Sequence, residues 1–481
     1  MLKKVIGLLV IGLLVLISIV AYKTITAPNL QRKVNALPAP ALPDSALQHF
    51  RQAIKFKTIS YGDAAQWDSL PFIQFRKFLE TTYPLVHQKL SRQIVKGYSL
   101  IYTWEGKNPA LKPFILMAHQ DVVPIEESSK SLWTVDPFAG LVKDNFIWGR
   151  GTTDDKINLI AILEAAEKLL KENYRPERTI YFTFGHDEEI GGTGATEIAH
   201  LFESQNIHAD LVLDEGGIVT REKISQVTKP VALIGNSEKG YLSLELSVTK
   251  KGGHSSMPEE ETAIDILNEA LDELHEHPFP ERFSESTKGL MAYLGPEMSF
   301  PDNLAFANPW LFKKMIFADY KKSGPGHAMI HTTMVPTILK SGIKDNVVPS
   351  VATAVLNFRL LPGDSSAAVI QRVKEIIHDN RVIVTHYGET ISEASPVAKD
   401  NAYGFQKVDE IVRKSFDTVV TSPFLVIGAT DSRHFSKVSD NVIKFSPMVD
   451  PIGFHGIDER VSLESFRRTL WFYELLMRGA N

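Results

Sequence analysis

The chain has 481 residues and no cysteine. Disulfides, thiolate nucleophiles and Cys-based zinc sites are therefore excluded, and any metal must be held by His, Asp and Glu. An excess of basic residues is also missing: 52 Lys and Arg stand against 57 Asp and Glu, a net charge of −5 with a pI near 6.3. That balance leaves no electrostatic footprint for nucleic acid. A Gly-x-Ser-x-Gly elbow, the mark of a serine esterase, is absent too, as are internal repeats and low-complexity tracts. What is plentiful is apolar sequence, 44% against 23% charged, enough to bury a sizeable core and to divide into two or more domains.

The N-terminus is Lys3 and Lys4 followed by an uncharged Leu/Ile/Val run from Val5 to Tyr22, just long enough to cross a bilayer core of about 30 Å as a helix. The flanking lysines favour a cytoplasmic N-terminus with the bulk of the chain outside. Two readings stand: an uncleaved membrane anchor, or a signal whose removal would make the protein secreted, although Ile19-Val-Ala21 is a poor cleavage site. Ala27 to Pro43 carries Pro28, Pro38, Pro40 and Pro43 and is expected to be an extended spacer that lifts the globular part off the membrane.

Helical patterns begin at Asp44, with Asp44 or Ser45 as cap, and again over Pro71 to Leu85. Strand-like runs then alternate with helical ones, which predicts an α/β layered domain. Four segments share one feature. Phe114-Ile-Leu-Met-Ala-His-Gln-Asp121 is an apolar run that ends in His119 and Asp121; Thr179 to Phe184 leads into His186-Asp-Glu-Glu189; Leu211-Val-Leu ends in Asp214-Glu215; and Trp148-Gly-Arg-Gly-Thr-Thr-Asp-Asp-Lys156 puts Asp154 and Asp155 at a helix start. Each alone reads equally as a helix cap or an acidic surface turn. Together they place carboxylates and an imidazole repeatedly after the most apolar runs, where α/β sheets bind ligands, and so predict a metal site.

The texture changes after residue 237. Tyr241 to Val248 alternates strictly, as a strand with one wet face does, and Gly252-Gly-His-Ser-Ser256 follows. Two amphipathic helices, Ala263 to Leu274 and Ala367 to Ile377, accompany strands near Val351 to Leu360 and Val382 to Val384. They predict a small α+β lid domain set into the larger one, with an irregular insertion from about His277 to Gly326. The predicted organisation is residues 1–22 as anchor or signal, 23–44 as linker, 45–236 and 395–481 as the two parts of a catalytic α/β domain with a central mixed sheet between helices, and 237–394 as the lid.

The motifs Met117-Ala-His-Gln-Asp-Val-Val-Pro124, Gly149 to Lys156, His186-Asp-Glu-Glu-Ile-Gly-Gly192, Leu213-Asp-Glu-Gly-Gly217, Gly253-His-Ser-Ser256 and Thr430-Asp-Ser-Arg-His434 resemble, in this order, those of the dinuclear zinc peptidases. That family includes aminoacylase, glutamate carboxypeptidase and succinyl-diaminopimelate desuccinylase, and the similarity is strongest to its branch of carboxypeptidase S and the N-fatty-acyl-amino-acid synthase/hydrolases. The resemblance implies two Zn2+, with His119 and Asp214 on one, Glu189 and His455 on the other, and Asp154 bridging. At the fourth position Glu215 remains the alternative to Asp214, because relatives differ there. It implies Glu188 as general base, Asp121 as the partner that orients His119, and His254 as a lid histidine that stabilises the oxyanion, often from a partner subunit of a homodimer formed through the lid. Asn346, Arg359 and Arg433 are candidates for gripping a substrate carboxylate. His186 and His434 are expected to be structural, and His327 and His331 carry no assigned role. The expected activity is hydrolysis of a peptide or N-acyl amide bond next to a free carboxylate in a small-molecule substrate. The rival is a membrane-anchored binding protein that keeps the fold without catalysis.

Overall fold

The computed structural model describes residues 1–388 and 391–480. At its centre is a nine-stranded mixed sheet, in the order Ser91–Val95, Ser99–Trp104, Ile180–Gly185, Phe114–His119, Leu211–Asp214, Val442–Lys444, Val231–Glu238 and Val420–Val426, with Val219–Thr220 paired to Val231–Glu238. Strand Phe114–His119 has parallel neighbours on both sides and is buried along its whole length. A strand covered on both faces needs apolar side chains pointing both ways, which is why it reads as an unbroken run. Helices Lys156–Lys171 and Leu463–Arg478 pack on one face over Phe50, Phe182 and Phe466. Helix Thr193–Ser204 covers the other with Ile198 and Phe202.

The second sheet is antiparallel, in the order Thr333–Ser341, Val351–Leu360, Gly240–Thr249, Val382–His386. Leu242, Leu244, Leu246 and Val248 point to helices Ala263–Glu276 and Ser366–Ile377 while the intervening residues are less covered, as the alternation predicted. Helix Ala263–Glu276 starts with a capping box in which Thr262 Oγ1 accepts from the Asp265 amide and the Asp265 carboxylate accepts from the Thr262 amide.

Three expectations change. The stretch from 277 to 326 is helical, with helices Glu285–Leu294, Asp302–Ala307, Pro309–Tyr320 and Gly324–Ala328, and its Leu290 and Leu294 pack with Val231, Leu233 and Val420 of the large sheet. Short helices broken by Pro301, Pro309 and Pro325 give no long period to read in sequence. The linker is extended but does not hang free: Gln31 donates to the Tyr293 and Thr421 carbonyls, Arg32 pairs with Asp409, and the Leu37 amide donates to the Lys414 carbonyl. Helix Asp44–Ile54 uses Asp44 inside its first turn rather than as a cap, Pro43 standing at the cap position.

Candidate active site

Because Phe114–His119, Ile180–Gly185 and Leu211–Asp214 are mutually parallel neighbours, their carboxyl ends reach one edge of the sheet, and His119 lies in register with Gly185. The turn after Gly185 holds Glu188 and Glu189, whose amides donate to the two oxygens of Asp121, each at 3.2 Å. Asp121 is fully buried and its Oδ1 also lies 3.3 Å from His119 Nδ1. Asp121 therefore holds the imidazole, whose Nδ1 lies 3.0 Å from the Asp121 main-chain carbonyl, and its carboxylate holds the acidic turn.

Asp154 lies between the two histidines, with Oδ1 2.8 Å from His119 Nε2 and Oδ2 2.5 Å from His455 Nε2. Glu189 Oε2 is 3.3 Å from His455 Nε2 and Glu215 Oε1 is 3.3 Å from His119 Nε2. Asp154 and Asp155 do not act as helix caps: helix Lys156–Lys171 begins without a side-chain cap, and Asp155 accepts from Asn158.

Of Asp214 and Glu215, the alternatives for the fourth position, the structure sets Glu215 beside His119. The Asp214 carboxylate turns away from the imidazole and accepts from the Ser432 amide at 2.8 Å, while Glu215, one residue later, meets His119. Successive strand residues point to opposite faces, so only one of an adjacent acidic pair can enter the cluster, and the longer side chain does so from just beyond the strand end.

The electrostatics of the cluster follow from crowding. Burial alone would lower His119, but Glu215, Asp121 and Asp154 push it well above its ordinary value. Hydrogen bonds to Asp154 and Glu189 raise His455 to about 10. Burial, then Asp154, raises Glu189 to about 7. Burial, then Asp154 and Asp155, pushes Glu215 up as well. Once ionised, the carboxylates of Asp121, Asp154, Glu189 and Glu215 outnumber the two imidazolium charges that could offset them, which is why burial and mutual repulsion raise Glu189 and Glu215. Glu189 Oε1 and Asp155 Oδ2 are also buried without a hydrogen-bond partner. Nitrogen and oxygen donors converging with surplus charge fit divalent cations.

Glu188 is raised well above its ordinary value, first by burial and then by Asp431, Glu215 and Glu189, against the pull of His119. It faces Arg433 Nη1 at 3.9 Å. Both open onto a cavity of about 910 Å3, walled also by Arg359, Tyr241, Phe424 and Met448. The Arg359 guanidinium lies 4.8 Å from the centre of the Tyr241 ring. His254 and Asn346 are not brought to the cavity within this chain. They sit together on an exposed two-stranded ribbon, Gly253–His254 against Val347–Val348, where the Ser255 amide donates to the Asn346 carbonyl and Ser256 bonds to His254 Nδ1. His186 bonds to Ser99 Oγ at 2.7 Å and His434 is half-buried behind Arg433.

Two residues that sequence reasoning did not single out shape the site. Glu459 accepts from Arg150 Nη1 at 2.6 Å, from the Gly151 and Thr153 amides and from Thr153 Oγ1, and so clamps the loop that presents Asp154. A single glutamate after Ile457 and Asp458 carries no pattern; the one signal is its place four residues beyond His455. Asp431, within a quoted motif, is buried so close to Gly185 and Gly192 that a Cβ at either would collide with its carboxylate. Those glycines are required by close approach.

The cluster of imidazoles and carboxylates beside a glutamate, at the sheet edge of an α/β domain, is that of a metal-dependent hydrolase. Residues 115–479 match Peptidase family M20/M25/M40, and the chain belongs to that family and is a metallopeptidase. It is 38% identical to a probable carboxypeptidase S-like 2 of Dictyostelium discoideum over 100% of this chain and 94% of the relative. To the human N-fatty-acyl-amino acid synthase/hydrolase it is 36% identical, covering 89% and 86%. The crystal structure of an M20 family metallo-carboxypeptidase from Sulfolobus solfataricus superposes with a TM-score of 0.67 at 18% identity, covering 91% of this chain and 99% of that one, and it shares the fold.

Proposed function

We propose that this protein hydrolyses N-acyl amino acids, including short peptides, whose scissile amide lies beside a free carboxylate. His119, Asp154, Glu189, Glu215 and His455 would hold two Zn2+ for this chemistry. The observation that carries the reading is Asp154, with one oxygen on each imidazole. Zinc in that position supplies a Lewis acid for the carbonyl and lowers the pKa of water. Glu188 accepts the proton of the attacking water and delivers it to the leaving nitrogen; burial raises its carboxyl above the ordinary range and so makes the carboxylate a stronger base. Arg359 and Arg433 bind the substrate carboxylate, and Tyr241 keeps the Arg359 fork in place. Ile218, Leu233, Phe424, Ile427 and Met448 line the rest of the cavity and suit an apolar acyl group.

His254 and Asn346 reach a cleft only if a second copy of the chain docks through the lid, whose edge strand Thr333–Ser341 leaves Val335 and Leu339 exposed. In such a homodimer His254 donates to the oxyanion across the interface. Helix Leu2–Ile25 is retained as a membrane anchor and the catalytic domain lies on the extracytoplasmic side. Support comes from its mean hydropathy of 2.9, from Lys3 and Lys4, and from Asn308, which donates to the Val20 carbonyl.

The test is a parallel assay of the zinc-loaded chain and its Glu188→Gln variant on dipeptides, N-acetyl amino acids and N-long-chain-acyl amino acids. Turnover of the variant is expected to fall by about 10³-fold or more, in keeping with loss of a general base, at unchanged zinc content. Full activity in the variant sinks the mechanism. Failure of all three substrate classes with the native chain sinks the substrate reading.

A further inference from the structure

Helix Pro309–Tyr320 turns Ile316 and Phe317 inward with Phe312 partly covered, while its outward face carries Trp310, Leu311 and Met315 beside Lys313, Lys314 and Ala318. A helix face that mixes exposed aromatic and aliphatic side chains with lysines suits a lipid interface. Here nothing among the described residues covers the outer side: Trp310, Leu311 and Met315 are exposed, and Phe300, in the loop before helix Asp302–Ala307, is 75% exposed. The neighbour of this face is the C-terminal end of the N-terminal apolar helix. Asn308 Nδ2 donates to the Val20 carbonyl at 3.3 Å and to Thr24 Oγ1 at 3.0 Å, and Lys23 Nζ lies 5.3 Å from the centre of the Trp310 ring.

We infer that this face is a second membrane contact: the insertion Phe300–Tyr320 rests in the outer lipid surface beside the point where the N-terminal helix emerges. The inference rests on the anchor reading above. Helix Leu2–Ile25 has 24 residues, about 36 Å at ~1.5 Å per residue, against a hydrocarbon core of about 30 Å. Its last turn, Tyr22 to Ile25, therefore lies at the outer interface, and Asn308 and Trp310 lie at that level with it. The side-chain chemistry is that of an interface: Trp310 and Phe300 for the lipid boundary, and Lys313 and Lys314 for the headgroups. The helix that follows, Gly324–Ala328, contributes Pro325 to the wall of the catalytic cavity. Docking of the insertion thus holds the cavity close to the lipid surface, where an amino acid carrying a long acyl chain partitions.

The absence of cysteine makes the test direct. Single-cysteine variants Met315→Cys, Val10→Cys and Lys437→Cys of the full chain are labelled with an environment-sensitive fluorophore in phosphatidylcholine nanodiscs. These carry nitroxides either near the headgroups or at the bilayer centre. Expected is strong quenching of residue 10 by the deep nitroxide, and at least threefold stronger quenching of residue 315 than of residue 437 by the shallow one. Quenching at residue 10 with residue 315 no different from residue 437 overturns the docking surface and leaves the anchor standing. Absence of quenching at both 10 and 315 overturns the two together.

Discussion

Glu459 offers the sharpest quantitative test of how the site is held. Its carboxylate is fully buried, accepts from Arg150 Nη1 and from three donors of Gly151 and Thr153, and sits over the loop that carries Asp154. Glu459→Leu keeps much of the volume but leaves a guanidinium that is 4% exposed without a counter-charge. Removing one partner of a buried pair costs about 3–5 kcal/mol, because the remaining charge stays desolvated. In the double variant Arg150→Met/Glu459→Leu the stranded charge is gone, yet the Gly151 and Thr153 donors are still orphaned, at about 1 kcal/mol or more each. The double variant is therefore expected to regain part of the loss, leaving a coupling of about 2 kcal/mol between the two positions. Urea unfolding followed by tryptophan fluorescence measures it, and Trp133, which stacks 5.5 Å from the Arg150 guanidinium, reports on the site itself. Zinc affinity, read by competition with a chelating dye, should fall about tenfold or more in the single variant because Asp154 loses its support. A double variant as unstable as the sum of the singles, or a Glu459→Leu protein with native zinc affinity, would refute the clamp.

Glu215→Ala should lower zinc content and raise sensitivity to chelators, whereas Asp214→Asn, which alters the bond to the Ser432 amide, should keep most of the metal; the opposite order in elemental analysis returns the ligand role to Asp214. Burial, then Arg433, pushes His434 down to about 4. The unfolded chain binds the proton below about 6.5 and the folded one does not. The contribution is thus complete above pH 6.5 and shrinks as pH falls towards 4, by at most about 3 kcal/mol at about 1.4 kcal/mol per pH unit. Chelated native protein should accordingly lose stability more steeply between pH 6.5 and 4 than chelated His434→Gln; parallel curves would show that His434 is protonated in the fold.

The parts of the protein legible in sequence are those where one local rule decides. Phe114–His119 is apolar throughout because both its faces are covered, and Gly240–Thr249 alternates because one face is not. His119, Asp154, Glu188 and Glu189 each follow an apolar strand or a glycine turn within a quoted motif, whereas His455 is pointed to only by the family resemblance. The insertion is not readable in sequence, since its short helices, broken by proline, are held by packing: Glu285–Leu294 on strand Val420–Val426, and Asp302–Ala307 and Pro309–Tyr320 on one another. The linker reads as a free spacer for a similar reason: its partners, Tyr293, Asp409 and Thr421, lie hundreds of residues away.

By itself, then, the sequence determined the class of fold, the nitrogen and oxygen chemistry of the site, and the set of strand ends that carry it, because periodicity and residue type are local properties. Only the tertiary structure decided which of Asp214 and Glu215 faces His119, that Glu459 holds the loop beneath Asp154, and that His254 and Asn346 stand outside the cavity of their own chain. Those outcomes depend on which way a side chain leaves the sheet edge and on what comes to meet it from a distant segment, and neither is a property of any one stretch of chain.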